Sequence, residues 1–214
     1  MQDALYSAAM SNSALFEQIA RQLASVVATS CAADDRKPAA VALIVRQTGD
    51  LNELLFIERA HHPDDPWSGN IGFPGGRHDP VDETLRHTAE RETMEEVGID
   101  LSGACYLGRL SDVVGANLPV RVSCFVYGLT EQVEPQLSHE VHDVFWFALH
   151  ELVTPQRQLT AQVSFGGKLL EAPAIDLGLP GKAMLWGITY RLVNQFREVL
   201  ESGEERQLPY ELPL

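Results

Sequence analysis

Residues 73–99 read FPGGRHDPVDETLRHTAERETMEEVGI, and this stretch decides both the fold and the chemistry of the chain. We predict a helix over residues 83–97, which ends at Gly98 because glycine readily adopts the left-handed conformation that closes a helix. Glu92, Glu95 and Glu96 are spaced by three and four residues, so they share one face of that helix. Taken alone, such a cluster is typical of a solvated, charged helix face.

The neighbours of this glutamate cluster favour a metal site over a solvated face. In the preceding turn, residues 73–76, the glycine backbone can come close to a ligand and offer a carbonyl oxygen. Arg91 precedes the cluster directly and can hold a carboxylate in place. Carboxylate oxygens are hard ligands that suit Mg²⁺ or Mn²⁺. A turn, a helix and a carboxylate cluster in this order therefore indicate a site for a divalent cation and a diphosphate.

The rest of the chain predicts further strands and two more helices. Helices are expected over residues 12–29 and 184–200, where apolar side chains recur at helical spacing. Residues 60–70 are predicted to form a loop, and residues 71–76 a short strand that ends in a Gly-Gly turn. Apolar and β-branched runs predict strands over residues 39–45, 54–57, 106–110, 120–129 and 141–147. This order indicates an α/β sandwich with a mixed β-sheet rather than a doubly wound parallel fold.

The composition excludes several classes of protein. The 214 residues include 16 Lys+Arg and 30 Asp+Glu, a net charge of −14 that argues against broad nucleic-acid binding. The longest aliphatic run, residues 41–45, is far too short for a membrane helix. The first residues lack the basic and apolar regions of a secretory signal. The three cysteines are odd in number and have no metal-ligand spacing, so we expect reduced thiols in a cytoplasmic protein. The short apolar runs predict no membrane partner.

The quoted stretch resembles a known motif. From Gly76 through Glu83 and Arg91 to Ile99 it is similar to the Nudix box, G-x5-E-x7-R-E-U-x-E-E-x-G-U, where U is a bulky apolar residue. Two features differ from the motif: six residues rather than five separate Gly76 from Glu83, and Thr93 replaces an apolar residue. Members that resemble coenzyme A diphosphatases show the longer spacing and a threonine or similar residue at that position.

The resemblance extends over most of the chain and implies its architecture. Residues 186–189, WGIT, are similar to the closing segment of coenzyme A diphosphatase-like Nudix proteins. The implied fold is a Nudix-type α/β/α sandwich around a mixed β-sheet. We expect an N-terminal helical extension at residues 1–35, a Nudix hydrolase domain at 36–205 and a C-terminal tail at 206–214. The helix of the extension is a candidate for covering one face of the sheet or for forming a homodimer contact.

The resemblance also implies a reaction and the ligands of its cofactor. Nudix hydrolases cleave a nucleoside diphosphate linked to another moiety and use Mg²⁺ or Mn²⁺ as the cofactor. Carried over position by position, the implied metal ligands are the backbone carbonyl of Gly75 and the carboxylates of Glu92, Glu95 and Glu96.

Further residues have implied catalytic roles. Arg91 would orient a glutamate of the cluster, and Glu83 would support the site from the start of the helix. The general base stays open between Glu92 and an acidic residue on a later loop, for which Glu140 is the candidate. An ordinary exposed loop acid is the alternative interpretation of Glu140.

The expected substrate is a small nucleotide conjugate, with coenzyme A or an acyl-coenzyme A preferred. Members that cleave coenzyme A carry L-L-T-x-R-[SA]-x3-R-x3-G-x3-F-P-G-G; Arg59 and Gly69 fit this motif, whereas Asp64 and Asp65 occupy the region of its second arginine. Arg59 and Arg77 are predicted to bind the anionic substrate. The alternatives are cleavage of ADP-ribose, NADH or a nucleotide sugar, or a catalytically silent Nudix sensor. A prenyl diphosphate isomerase is disfavoured because the cysteines lack its motif.

Overall fold

The computed structural model describes residues 2–31, 35–62, 65, 67–115 and 119–202, with side chains from residue 14 onwards. The helices are α1 (Gln2–Ser25), α2 (Leu85–Val97), α3 (Leu149–Leu152) and α4 (Gly187–Ser202). The strands are β1 (Lys37–Thr48), β2 (Leu51–Arg59), β3 (Ile71–Gly72), β4 (Gly75–Arg77), β5 (Cys105–Arg109), β6 (Val113–Val114), β7 (Val120–Leu129), β8 (Val141–Ala148), β9 (Gln158–Phe165), β10 (Lys168–Ile175) and β11 (Leu185–Trp186). Within the described residues, no helix is both long enough and apolar enough to cross a membrane.

Strand β1 is the centre of a mixed sheet. It pairs in parallel with β7 and antiparallel with β2 and β4. Strand β2 also pairs with β3 and β8, and β7 with β5 and β6, all antiparallel. Strands β9, β10 and β11 form a separate antiparallel sheet. The mixed sheet predicted from the order of elements is therefore confirmed.

Side chains of β1 alternate between two cores, one on each face of the mixed sheet. Leu43 and Val45 belong to the core that contains α1 and α4, whereas Ala42 and Ile44 belong to the core that contains α2. Successive side chains of a strand point to opposite faces, so both faces of the sheet are covered by helices. This arrangement is the predicted α/β/α sandwich.

Two glycines let α1 lie close against the sheet. A Cβ on Gly128 in β7 would come within 2.7 Å of the Phe16 ring, and one on Gly108 in β5 within 2.9 Å of Leu23. Both side chains of α1 are buried, together with Ile19 between them. The N-terminal helix thus covers one face of the sheet, as one of the two expectations proposed.

Several predicted boundaries are wrong. The first helix ends at Ser25 rather than at residue 29, and Val27 beyond it is 91% exposed. Residues 75–77 form strand β4 instead of a Gly-Gly turn, because Gly76 pairs with Ala40 of β1. The last helix begins at Gly187, since the two preceding residues pair with β10 as β11. The β9–β10 hairpin was not predicted, and the tail at residues 206–214 lies outside the described residues.

Candidate active site

Helix α2 presents its carboxylates to the backbone of strand β4. The Gly75 N–H donates to Oε2 of Glu96 at 2.9 Å. A Cβ on Gly75, whose φ is 149°, would overlap the Ala40 carbonyl oxygen, and a Cβ on Gly76 would lie 2.5 Å from the Glu92 carboxylate. The pair of glycines is therefore needed for close approach: it lets two carboxylates lie directly against a strand.

The helix itself is positioned by its two ends. The Thr84 side chain accepts a hydrogen bond from the His87 N–H, which satisfies a backbone donor in the first turn. Gly98 adopts φ 67° and donates its N–H to the Met94 carbonyl, so the predicted terminator is confirmed. These caps fix the length of α2 and hence the turn on which the glutamates lie.

Arg91 is held by a buried aspartate. Its Nε and Nη2 donate to Oδ1 and Oδ2 of Asp82 at 2.8 and 2.9 Å, which makes a two-pronged ion pair. The Asp82 side chain is completely buried and also accepts from the Thr88 hydroxyl and the Asp79 N–H. The hydrogen bonds from Arg91 are the main reason that the pKa of Asp82 lies far below its ordinary value. This ion pair holds the Arg91 guanidinium in a fixed position next to the glutamates.

The remaining nitrogen of Arg91 contacts two of the three glutamates. Nη1 lies 3.0 Å from Oε1 of Glu92 and 2.9 Å from Oε2 of Glu95. Burial nevertheless raises the pKa of Glu92, and Arg91 opposes that rise. Arg91 thus contacts Glu92, the glutamate that the resemblance implies it would orient, and also the more exposed Glu95.

Glu96 is the most buried member of the cluster. Its side chain is only 4% exposed, and burial raises its pKa to about 7. The Gly75 N–H and Arg59 partly oppose this rise, whereas the nearby carboxylates of Glu92 and Glu140 add to it. The charge of Glu96 is therefore disfavoured both by burial and by the two nearby carboxylates.

Glu83, which the resemblance implies would support the site from the start of the helix, makes no contact with Arg91 in the described structure. It is exposed, precedes α2, and donates only its backbone N–H to Nδ1 of His87 at 3.3 Å. Asp82 makes the arginine contact instead. The spacing of the motif agrees with Asp82 in this position, because five residues separate Gly76 from Asp82, as five separate the glycine from the glutamate in the motif.

The loop candidates do reach the site. The Ala60 N–H donates to the Glu140 carbonyl at 2.8 Å, which joins the end of β2 to the turn before β8. Nη1 of Arg59 lies 3.8 Å from Oε1 of Glu96, while its Nε donates to Oδ2 of Asp65 at 2.9 Å. Asp65 is thus an ion-pair partner of the substrate-binding candidate Arg59; Asp64 lies outside the described residues.

These groups share one cavity of about 780 Å³. Its acidic part is lined by Glu92, Glu96 and Glu140, beside Arg59. Arg77, which was predicted to bind the substrate, also lines the cavity. Six further residues of its walls were not predicted as part of the site: Lys37, Asn70, Trp67, Trp186, Ile188 and Thr189. Glu95 does not line the cavity, since it points to Arg91. No local sequence pattern connects these unpredicted residues to the site, because they come from strands and loops that are far apart in the chain.

The carboxylates of the glutamate cluster are chemically suited to a divalent cation, although they do not point to one common position. Among the described residues, no three His, Cys, Asp or Glu side chains are arranged as a metal-holding group. Glu92, which is half-buried, and Glu96, which is buried, are nonetheless hard oxygen donors, and the charge of Glu92 disfavours that of Glu96. A cation between them would relieve that repulsion, and Glu95 would join only after leaving Arg91.

Comparisons with known proteins agree with this architecture. The family model described as NUDIX domain matches residues 35–168. The mouse (Mus musculus) protein named mitochondrial coenzyme A diphosphatase NUDT8 is 30% identical over 193 residues, which cover 87% of this chain and 89% of that protein. An uncharacterized protein of Schizosaccharomyces pombe is 36% identical over 118 residues, 51% of this chain. That match spans only 36% of the yeast protein.

A solved structure also matches part of the chain. The Caenorhabditis elegans Ap4A hydrolase binary complex matches with a TM-score of 0.46 and 25% identity, covering 54% of this chain and 82% of that one. The family match over residues 35–168 exceeds half of the 214 residues, and it contains the whole glutamate cluster. The chain therefore belongs to the Nudix hydrolase family.

Proposed function

We propose that this chain is a Mg²⁺- or Mn²⁺-dependent diphosphatase that cleaves coenzyme A or an acyl-coenzyme A. The observation that carries the proposal is the cavity that Glu92, the buried Glu96, Glu140 and Arg59 line together. This combination offers carboxylates for a cation, a base for a water molecule and a guanidinium for a phosphate. The similarity to mouse NUDT8 along most of both chains supports coenzyme A as the nucleotide conjugate.

The apolar wall of the cavity suits the uncharged arm of such a substrate. The Trp67 and Trp186 rings lie 5.7 Å apart between centroids, and both line the cavity. Nε1 of Trp186 donates to Oδ1 of Asn70 at 2.9 Å, which fixes the orientation of the indole. Coenzyme A joins its diphosphate to a long pantetheine arm that carries no charge. An apolar aromatic surface next to an acidic, cation-binding part matches that division of the molecule.

The proposed cation ligands are Glu92, Glu96 and the Gly75 carbonyl, with Glu95 recruited from Arg91. The bound cation would supply charge neutralisation at the diphosphate and acidify a water molecule. The chain itself supplies positioning: Arg91 keeps Glu92 in place, and burial keeps Glu96 against β4.

We assign the general base to Glu140. Glu92 lies 3.0 Å from Arg91 and is also a proposed cation ligand, so its carboxylate is already engaged, whereas Glu140 is not among the proposed ligands. The Glu140 carboxylate is 57% exposed and lies 4.0 Å from Nε2 of His139. Glu140 would take a proton from the attacking water while the phosphorus–oxygen bond to the bridging oxygen breaks. The products are then 3′,5′-ADP and 4′-phosphopantetheine.

A substrate panel with matched variants tests the proposal. The protein is incubated with Mg²⁺ or Mn²⁺ and coenzyme A, acyl-coenzyme A, ADP-ribose, NADH or nucleotide sugars, and products are identified by mass spectrometry. We expect coenzyme A to be cleaved, and Glu140→Gln to lower kcat by about a hundredfold or more. Glu134→Gln changes an exposed acid in the same loop and serves as the control.

Each alternative has its own outcome in this panel. Turnover of ADP-ribose or NADH without coenzyme A would reject the substrate and keep the chemistry. Binding without turnover of any conjugate would indicate a silent sensor. If Glu140→Gln behaves like Glu134→Gln, the base is Glu92 instead.

A further inference from the structure

Two cations line the cavity in addition to the acidic and aromatic side chains already described. Lys37 begins β1, and Arg77 ends β4. The two strands pair with Ala39 opposite Arg77, so the cations lie on neighbouring strands of the same sheet. Both border the cavity that also contains Glu92 and Glu96. The cavity therefore contains a pair of basic side chains on neighbouring strands, as well as acidic and apolar ones.

Lys37 and Arg77 differ from Arg59, the third basic residue that lines the cavity, in their ion-pair partners. Arg59 is engaged by Asp65 at 2.9 Å, with Glu96 at 3.8 Å. Lys37 and Arg77, in contrast, have no side-chain hydrogen bond or ion pair with any residue in the described ranges. In a chain of net charge −14, carboxylate partners are plentiful. Two cations on neighbouring strands that find no partner in the described part of the chain thus indicate an anion from outside the protein.

The distance along strands β1 and β4 separates Lys37 and Arg77 from the expected position of the diphosphate. Glu96 contacts Gly75, which pairs with Val41 of β1. Lys37 lies four residues before Val41, about 13 Å along an extended strand, and Arg77 lies two residues beyond Gly75, about 7 Å. A diphosphate held at the glutamates therefore leaves these two backbone positions for a different group on the same substrate.

We propose that Lys37 and Arg77 form a second anion subsite, which binds a phosphomonoester on the nucleoside end of the substrate. The inference rests on the proposed function and deepens it. The 3′-phosphate of coenzyme A is such a group, and dephospho-coenzyme A, NADH and ADP-ribose lack it. A phosphate dianion offers several acceptor oxygens to a lysine and an arginine together. The subsite would make the chain select 3′-phosphorylated conjugates even though Asp65 stands near the position of the motif's second arginine.

Binding of the two candidate product nucleotides tests the subsite without turnover. Affinities for 3′,5′-ADP and 5′-AMP are measured by calorimetry for the wild type and for the double variant Lys37→Met/Arg77→Met. We expect the wild type to prefer 3′,5′-ADP by about tenfold or more, and the double variant to bind both nucleotides equally. Lys168→Met, an exposed lysine at the start of β10, should retain the preference. The charge-keeping variant Lys37→Arg should retain it too.

The outcomes separate the subsite from the proposed function. Equal affinity of the wild type for both nucleotides, no binding of 3′,5′-ADP, or a preference that survives the double substitution would overturn the subsite. Turnover of coenzyme A and dephospho-coenzyme A is then compared. Equal cleavage of both together with equal binding rejects the subsite and keeps the diphosphatase. A nucleotide preference that the double variant abolishes, without cleavage of coenzyme A, keeps the subsite and rejects the proposed substrate.

Discussion

Replacing Glu96 by glutamine should stabilise the metal-free protein at neutral and alkaline pH. Glutamine has nearly the same shape, and its amide oxygen can still accept the Gly75 N–H that Oε2 of Glu96 now accepts. What the substitution removes is a negative charge on a side chain that is only 4% exposed and lies near two other acids. A residue proposed to hold the cation would thus be destabilising as long as the cation is absent.

The size and direction of the effect follow from the pKa of Glu96. The pKa rises from an ordinary value of 4.5 to about 7 in the folded chain, so the folded state holds the proton more tightly than the unfolded state. Below pH 4.5 both states are protonated and the free energy of unfolding is unaffected. Between pH 4.5 and 7 the unfolded state ionises first, so the free energy of unfolding falls as the pH rises. Above pH 7 the accumulated loss is about 3 kcal/mol.

Chemical denaturation followed by tryptophan fluorescence measures this difference. With a chelator present, the free energy of unfolding of Glu96→Gln minus that of the wild type should grow from near zero at pH 4.5 to about 3 kcal/mol at pH 8. Glu95→Gln is the control, because Glu95 is 58% exposed and its replacement removes no buried charge. Excess Mg²⁺ should then stabilise the wild type more than Glu96→Gln. A difference that stays flat with pH would refute the argument from burial.

Two further substitutions test the supports of the site. Asp82→Asn should lower the free energy of unfolding by about 3 kcal/mol or more and reduce turnover, because it leaves the half-buried Arg91 guanidinium without its charged partner. Glu83→Gln, which changes an exposed side chain, should keep the free energy of unfolding within about 0.5 kcal/mol of the wild type. Equal effects of the two substitutions would reject the assignment of this contact to Asp82. Gly76→Ala should abolish turnover by pushing the Glu92 carboxylate away, whereas Gly103→Ala, with open space around its Cβ, should keep full activity; an active Gly76→Ala would show that the close approach is dispensable.

The elements that the sequence predicts well are those with a local cause. Helix α2 could be predicted because Gly98 stops it at the residue where the glutamate spacing also ends. Strands β1, β2 and β7 could be predicted because both faces are buried, which requires continuous apolar runs. The sandwich and the family follow from these elements. The cytoplasmic location, the absence of a nucleic-acid partner and a homodimer contact stay predictions.

The elements that were missed depend on pairing partners far along the chain. Strand β4 contains two glycines, which are poor strand formers, and it exists because β1 pairs with it. Strand β10 contains Pro173, which weakens a strand prediction, yet it pairs with β9 along its whole length. The cavity walls combine β1, β3, α4 and the 60–70 loop, so Lys37 and Asn70 could not be connected to Glu92 by spacing.

Asp82 shows where a motif match and a physical argument separate. Counting eight positions back from Arg91 along the motif selects Glu83, and the same motif counted forward from Gly76 selects Asp82. The two counts disagree by one residue, and a single carboxylate can be buried against the guanidinium. Asp82 has the shorter side chain and the buried position, and three donors satisfy its oxygens: Arg91, Thr88 and the Asp79 N–H. Glu83, one residue later, precedes the Thr84 cap and is exposed to solvent. The longer spacing to Glu83 is therefore no insertion into the site, since the functional distance from Gly76 is preserved by the aspartate.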